Sequence, residues 1–311
     1  MLLTHGASAA QLPPVALTVG NFDGIHRGHQ AMLQRLLAGA RARGLQGCVL
    51  TFEPHPREFF AADAAPTRLT SLREKLELLV AHGVARTHVQ RFDRAFASLS
   101  PESFVEQVLA GRLRARWLLI GEDFRFGAKR AGDLALLQRL GTRHGYEVEV
   151  LPPVAQAGVR VSSSAVRAAL AAGDLARAET LLGRAYSISG RVVHGRKLGR
   201  ELGFATANVQ LKHNRPPLAG IYAVRVHGVG ASSRPAVASL GVRPTVTASG
   251  RAVLEVHLFD FSDDLYGAHM RVEFLHKIRD EERYSNLDAL KAQIERDCEA
   301  ARTYLLESRN A

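Results

Sequence analysis

The segment Gly20-Asn21-Phe22-Asp23-Gly24-Ile25-His26-Arg27-Gly28-His29 carries glycines four apart and histidines three apart, directly ahead of an amphipathic stretch. Glycine lets a backbone turn tightly and come close to a ligand. His29 falls at the start of the helix that the following residues predict, where unpaired N–H groups and the helix dipole attract phosphate. N–H groups of His26 and His29 can stabilise charge developing on a phosphorus centre under attack. The plain alternative is a Gly-rich turn with incidental surface histidines. Zinc is disfavoured, because HExxH is absent and no cysteine or third ligand is near. A second pattern, Arg160-Val161-Ser162-Ser163-Ser164-Ala165-Val166-Arg167, follows the turn Pro152-Pro153 and opens an Ala-rich helix. Hydroxyls at a helix start with an arginine one turn inside make an anion site, although simple capping explains them too. Together the patterns predict helix N-termini converging on a polyphosphate.

The second half of the chain offers different chemistry. Gly195-Arg196-Lys197-Leu198-Gly199-Arg200-Glu201-Leu202-Gly203 joins two predicted strands, and glycines interleaved with cations suit a loop over phosphates, or a solvated basic loop. Thr206 and Asn208, two apart on a strand, share a face. Their neutral oxygens suit Mg²⁺ shared with nucleotide phosphates, or are ordinary polar residues. Glu255 is a carboxylate within the apolar run Leu254 to Leu258. Burial there would raise its pKa and make it a usable base, or it is a structural Glu with a salt-bridge partner.

These groups need elements to position them. Val15–Val19 and Trp117–Ile120 read as buried strands, and Cys48–Phe52 and Glu147–Leu151 as further strands. Helices are expected over the stripe Leu33, Leu36, Leu37, Ala40 ended by Gly44, over Leu72–Val80, over Pro101–Leu113 capped by Ser100, near Leu134–Leu140, and along Ala165–Leu182. Such alternation argues for a parallel sheet covered on both faces, with ligands at the carboxyl ends of its strands. From Ser187 the pattern changes to short strands: Ile188–Val193, Thr206–Leu211, Ile221–Val226, Ala236–Leu240, Val253–Phe259 and Met270–Phe274. Their spacing reads as an antiparallel barrel or sandwich. A last helix from Asn286 places Leu287, Leu290, Ile294, Cys298, Ala301 and Leu305 on one stripe.

Length and composition set the limits. The 311 residues suit two domains, and 46% hydrophobic with 23% charged residues is ordinary for globular protein. No apolar run is long enough for a membrane span, and the start does not read as a secretory signal. Cys48 and Cys298 build neither a disulfide framework nor a CxxC site, so a cytoplasmic location is expected. The net charge of +11 is spread along the chain, mostly as arginine. No nucleic-acid partner is therefore expected, nor a membrane.

The HxGH loop after a first strand, paired with a later S-S-[ST]-x-[IV]-R, resembles the nucleotidyltransferase superfamily. The fuller forms GNFDGIHRGHQ, TFEPHP, GEDFRFG and VSSSAVR resemble the adenylyltransferase module of bacterial bifunctional riboflavin kinase/FMN adenylyltransferases (FAD synthetases). GxxxGRxLGF-[PA]-TAN, GxRPT, ExHxFDF, DLYG and IR-[DE]-E, in order between Gly195 and Glu281, resemble that family's riboflavin kinase domain. The resemblance implies an α/β nucleotidyltransferase (Rossmann-like) domain over 1–182, then an antiparallel β-barrel kinase domain with a terminal helix over 183–311. It implies ATP contacts from Gly20, Asn21, Phe22, His26 and His29, with Ser163, Ser164 and Arg167 holding the polyphosphate. Phe52, His55, Pro56, Asp123 and Phe124 would lie near the flavin. In the kinase, Gly195, Lys197 and Gly199 would cover ATP, Thr206 and Asn208 would hold Mg²⁺ and ATP, and Glu255 would deprotonate the ribityl 5′-hydroxyl. Arg279 would lie near the flavin or a flap over it. Ser164 stands where the family usually has Thr, and Ala205 where it most often has Pro, a loss expected to loosen the turn before Thr206. The implied activity converts riboflavin and ATP to FMN and ADP, then FMN and ATP to FAD and pyrophosphate, in a monomer or weak transient oligomer. The alternative is an HxGH nucleotidyltransferase acting on another mononucleotide-like acceptor, which leaves residues 190–285 unexplained.

Overall fold

A computed structural model of the chain describes residues 1–6, 12–62, 64–156, 158–195, 203–212, 215–242 and 252–307. The chain forms two compact units, one of Met1–Pro66 with Leu72–Ser162, the other of Thr67–Ser71 with Ser163–Ala311.

The first unit is built on parallel strands β1 (Leu2–His5), β2 (Val15–Val19), β3 (Gln46–Glu53), β4 (Arg86–Arg91), β5 (Ala115–Gly121) and β6 (Glu147–Leu151), in the order β1-β4-β3-β2-β5-β6. Alternate side chains feed separate cores. Leu17, Leu50, Leu118 and Ile120 pack with Val105, Leu109 and Leu137, whereas Ala16, Val49, Trp117 and Leu119 pack with Leu33, Leu36 and Leu79. Helices α1 (Arg27–Ala42), α2 (Pro56–Phe60), α3 (Leu72–Ala81), α4 (Arg94–Ala97), α5 (Pro101–Phe104) and α6 (Leu134–His144) accompany the sheet. The helix expected over Pro101–Leu113 is capped by Ser100, whose Oγ accepts from Ser103 N at 3.1 Å, but beyond Phe104 it winds as a π-helix over Val105–Arg112. A small hairpin, β7 (Ala155–Gln156) with β8 (Val159–Arg160), precedes Val161.

Strand β4 was not expected, and its sequence explains why. Arg86, Thr87, His88 and Gln90 are all buried, so the strand lacks the apolar pattern by which buried strands are recognised.

In the second unit, the helix expected along Ala165–Leu182 is two: α7 (Ser163–Ala171) and α8 (Leu175–Leu182). Gly173 takes φ 75°, and Asp174 restarts the helix by accepting from Arg177 N at 2.9 Å. The short segment Thr67–Ser71 belongs here: Arg167 Nε donates to the Thr67 carbonyl, and the Tyr186 hydroxyl to that of Leu69 at 3.1 Å.

Strands β9 (Tyr186–Val193), β10 (Ala207–Val209), β11 (Gly220–His227), β12 (Arg234–Val242), β13 (Ala252–Leu258) and β14 (His269–Arg279) close into a barrel in the order β10-β13-β12-β11-β14-β9. Every pairing is antiparallel. That settles the choice between barrel and sandwich. Helix α9 (Leu287–Glu307) starts where Asn286 Oδ1 accepts from Ala289 N at 2.8 Å. Ile294, Cys298, Ala301 and Leu305 pack against Ile221, Ala223 and Val237 of the barrel wall. Leu287, expected on the same stripe, is 55% exposed, because the helix has only begun there and has not reached the wall.

Candidate active sites

Because all strands of the first sheet run parallel, their carboxyl ends share one edge. The chain runs from β2 through β3 to β4 on one side, then returns to β5 and β6 on the other, so the order reverses beside β2. Crevices at such reversals take ligands. The Gly20–His29 loop leaves β2 at this point, Phe52–Pro56 ends β3, and Asp123-Phe124 follows β5. Topology thus brings these expected residues to one edge, an ordering that the sequence does not reveal.

Within the loop the backbone is strained. Phe22 (φ 49°) and Ile25 (φ 42°) hold left-handed conformations that bulky side chains rarely adopt. Both side chains are fully buried, and that anchorage holds the conformation. Phe22 is consequently a core residue, its ring closed off from solvent. His26 caps α1: its Nδ1 accepts from His29 N at 3.3 Å. A neutral His26 ring therefore carries its proton on Nε2. The His26 and His29 rings stack with centroids 3.7 Å apart, and the Phe22 ring lies 4.9 Å from that of His29. A Cβ on Gly28 would sit 3.2 Å from the His26 ring, so glycine permits this stacking. His29 is held well below its ordinary pKa by burial first, then by the charges of His26 and Lys75, and is neutral near pH 7. Its Nδ1 is shielded from water and has no hydrogen-bond partner.

Lys75 of α3 is 4% exposed, and its Nζ donates to Thr51 Oγ1 at 3.3 Å. The Thr51 hydroxyl in turn donates to the Asn21 carbonyl at 3.1 Å. A buried ammonium is thus tied to the loop. Sequence reading missed it, since Lys75 lies in a helix with no motif and a lysine's residue type argues for exposure.

The residues expected near the flavin have visible structural work. His55 caps α2 through Nδ1, accepting from Arg57 N at 3.1 Å, with Pro56 in the first turn. Phe52 joins an edge-to-face aromatic group with Phe92, centroids 5.8 Å apart, and Phe124 stacks on Phe126 at 5.6 Å. Phe60 of the same aromatic group is 68% exposed. Asp123 accepts from Arg160 Nη2 at 2.7 Å. Ser163 and Ser164 open α7 in the second unit, where Arg167 is tied to Thr67 as described.

The barrel assembles a separate group. Strand β13 buries Ala252, Leu254, Val256 and Leu258 and turns Glu255 and His257 to the other face, half-buried. The deep burial expected for Glu255 is therefore only partial. Asn208 pairs with Glu255 across β10 and β13, and Ser239 flanks Glu255 from β12. Gly195 packs directly on the Asn208 amide, where a Cβ would collide. Thr206 lies immediately before β10. Lys197, Gly199 and the GxRPT residues Arg243, Pro244 and Thr245 lie outside the described residues. Arg279 makes a two-pronged ion pair with the 4%-exposed Asp297 of α9, at 2.8 and 2.6 Å. Glu281 is a second carboxylate in this region: burial foremost, and the charge of Glu255, hold its pKa above the usual range against the pull of Arg279.

Comparison with known proteins also divides the chain in two, at bounds that differ from those of the compact units. Residues 8–165 match the FAD synthetase family model and residues 182–305 the riboflavin kinase model. The bifunctional riboflavin kinase/FMN adenylyltransferase of Escherichia coli (strain K12) is 51% identical over 300 residues, covering 96% of each chain. The protein of that name from Pseudomonas fluorescens is 49% identical, covering 92% of this chain and 91% of its own. A crystal structure described as a macrolide-efflux protein from Streptococcus pneumoniae superposes with TM-score 0.81 at 29% identity, over 97% of this chain and 99% of that one. Among the described residues here, no helix is long and apolar enough to cross a membrane.

Proposed function

Because the chain belongs to the family of bifunctional riboflavin kinase/FMN adenylyltransferases, we propose that its two activities are carried by the two residue groups described above. The chain is a transferase that converts riboflavin and ATP to FMN and ADP, and then FMN and a second ATP to FAD and pyrophosphate. The observation that carries this function is the side-by-side match of both family models along one polypeptide.

In the adenylyltransferase, an FMN phosphate oxygen attacks the α-phosphorus of ATP and pyrophosphate leaves, so positioning and charge neutralisation suffice. The Nε2–H of His26 donates to the phosphates, supported by its Nδ1 acting as cap acceptor. His29, neutral and stacked on His26, adds an uncharged donor. Ser163, Ser164 and Arg167 hold the polyphosphate, and Phe52, Phe124 and their aromatic neighbours receive the flavin.

In the kinase, Glu255 takes the proton of the ribityl 5′-hydroxyl as that oxygen attacks the γ-phosphorus and ADP leaves. Its place opposite Asn208 supports this, since one strand pair presents a base and a neutral oxygen donor together. Thr206 and Asn208 offer hard neutral oxygens, a donor set that suits Mg²⁺ carried mainly by phosphates. Bound there, Mg²⁺ would neutralise charge on the phosphates. The reading places the enzyme in the cytoplasm, as a monomer or weak oligomer without nucleic-acid partners.

Chromatography of products tests the assignment. With riboflavin and Mg-ATP the chain should give FMN and FAD. E255Q should cut FMN formation by about 10²- to 10⁴-fold and leave conversion of added FMN to FAD intact. H26A combined with H29A should do the reverse. If either change abolishes both steps in folded protein, the separate-site reading is wrong.

A further inference from the structure

Strand β13 carries Glu255 and, two residues on, His257 on the same face. The Nδ1 of His257 lies 2.9 Å from the carbonyl oxygen of Ala205. A carbonyl only accepts, so Nδ1 carries the proton and donates. Ala205 precedes Thr206 and sits two residues ahead of β10, whose ladder begins at Ala207 opposite Val256. Alanine does not fix its own φ, so the approach to Thr206 needs an external restraint. The imidazole is itself held between aromatic edges, with Phe204 at 5.6 Å and Phe259 at 5.8 Å, both near perpendicular.

We propose that His257 is a positioning residue of the kinase site, a clamp whose Nδ1–H fixes the Ala205 carbonyl and thereby sets Thr206 and Asn208 for the Mg-nucleotide. This rests on the kinase reading above. A single strand then serves twice: Glu255 faces Asn208 from one position, and His257 steadies the turn feeding the same short strand from the next one on that face. His257 touches no reacting atom. Its loss acts through nucleotide placement rather than through proton transfer.

Packing and hydrogen bonding by His257 separate cleanly by substitution. H257F keeps an aromatic ring between Phe204 and Phe259 but has no donor. H257N loses the ring but keeps an N–H close to the place of Nδ1. Initial rates of FMN formation by the full chain, with Mg-ATP varied at saturating riboflavin, read the effect. H257F should raise KM for ATP about three- to ten-fold, the loss of one hydrogen bond. Its kcat, and both constants of H257N, should stay within about two-fold of wild type. Conversion of added FMN to FAD should be equal in all three proteins. The proposal is overturned if H257F matches wild type, or if H257N is impaired as much as H257F. Should H257F fail to fold, H257N alone decides, since weakened ATP use there contradicts a clamp that needs only the N–H. A wild-type chain that makes no FMN strikes the kinase assignment instead, and calorimetric Mg-ATP binding by the same variants then reads the clamp without turnover.

Discussion

His88 makes the stability of the first unit depend on pH, with a magnitude that follows from its surroundings. The residue is fully buried in β4, its Nδ1 is 2.9 Å from the Thr4 hydroxyl, and its Nε2 has no partner. Burial foremost, then the charges of Arg112, Arg86 and His5, lowers its pKa from 6.5 to about 4, with the nearby Gln90 side chain acting in the opposite direction. An unfolded chain protonates this ring below about pH 6.5, whereas the folded chain keeps it neutral until about pH 4. Between those values the unfolded state binds more protons, so acid favours unfolding by about 1.4 kcal/mol per pH unit. The contribution is complete above pH 6.5 and drains away as pH falls towards 4. From about pH 7.5 to about pH 4.5 the loss is about 2.5 kcal/mol. H88Q removes the titration while keeping a neutral partner for Thr4. Trp117, the chain's one tryptophan, lies in the core of this unit, so its fluorescence during urea unfolding reports on the sheet. Comparing wild type with H88Q cancels the other titrating groups, His29 among them. Acidification should cost wild type about 2.5 kcal/mol more than H88Q. Equal losses in both proteins would refute the reasoning.

Other outcomes follow from packing. G39A should lower the urea midpoint in the same fluorescence assay: helix propensity gains about 1 kcal/mol, but the new Cβ meets the buried Trp117 ring at 2.5 and 2.8 Å. Overpacking of this kind costs about 1–3 kcal/mol, and Arg43, with its guanidinium 4.6 Å from the ring centroid, leaves the indole little room to yield. D297A should destabilise the barrel by about 3 kcal/mol, because it leaves the Arg279 guanidinium without its buried carboxylate. Calorimetry should show one lowered transition while the Trp117 signal is unchanged.

The sequence was most legible where one physical signal dominated. Val15–Val19 and Glu147–Leu151 are strands at the expected bounds, since short runs rich in β-branched residues have few other uses in this context. The barrel strands were located by Gly and Pro punctuation, but closure was not, because it depends on which strands meet and no local residue states that. Buried polar groups were the hardest to read. Arg86 and His88 hid β4, and Lys75 hid a cation under the Gly20–His29 loop, because burial was inferred from apolarity. Among the candidate site residues, spacing singled out His26 and His29, but not their stacking or the left-handed backbone at Phe22 and Ile25. The expectation that the turn before Thr206 is loosened at Ala205 overlooked His257, which sits fifty-two residues away in sequence and 2.9 Å away in space.

The excursion of Thr67–Ser71 has a practical corollary for anyone dividing this polypeptide. The backbone passes from one unit to the other three times, after Pro66, after Ser71 and after Ser162. No single cut yields both bodies whole. A fragment stopped at Ser162 would take along five residues whose partners, Arg167 and Tyr186, stay behind with the other piece. The barrel fragment would keep both side chains but lose the Thr67 and Leu69 carbonyls to which they donate.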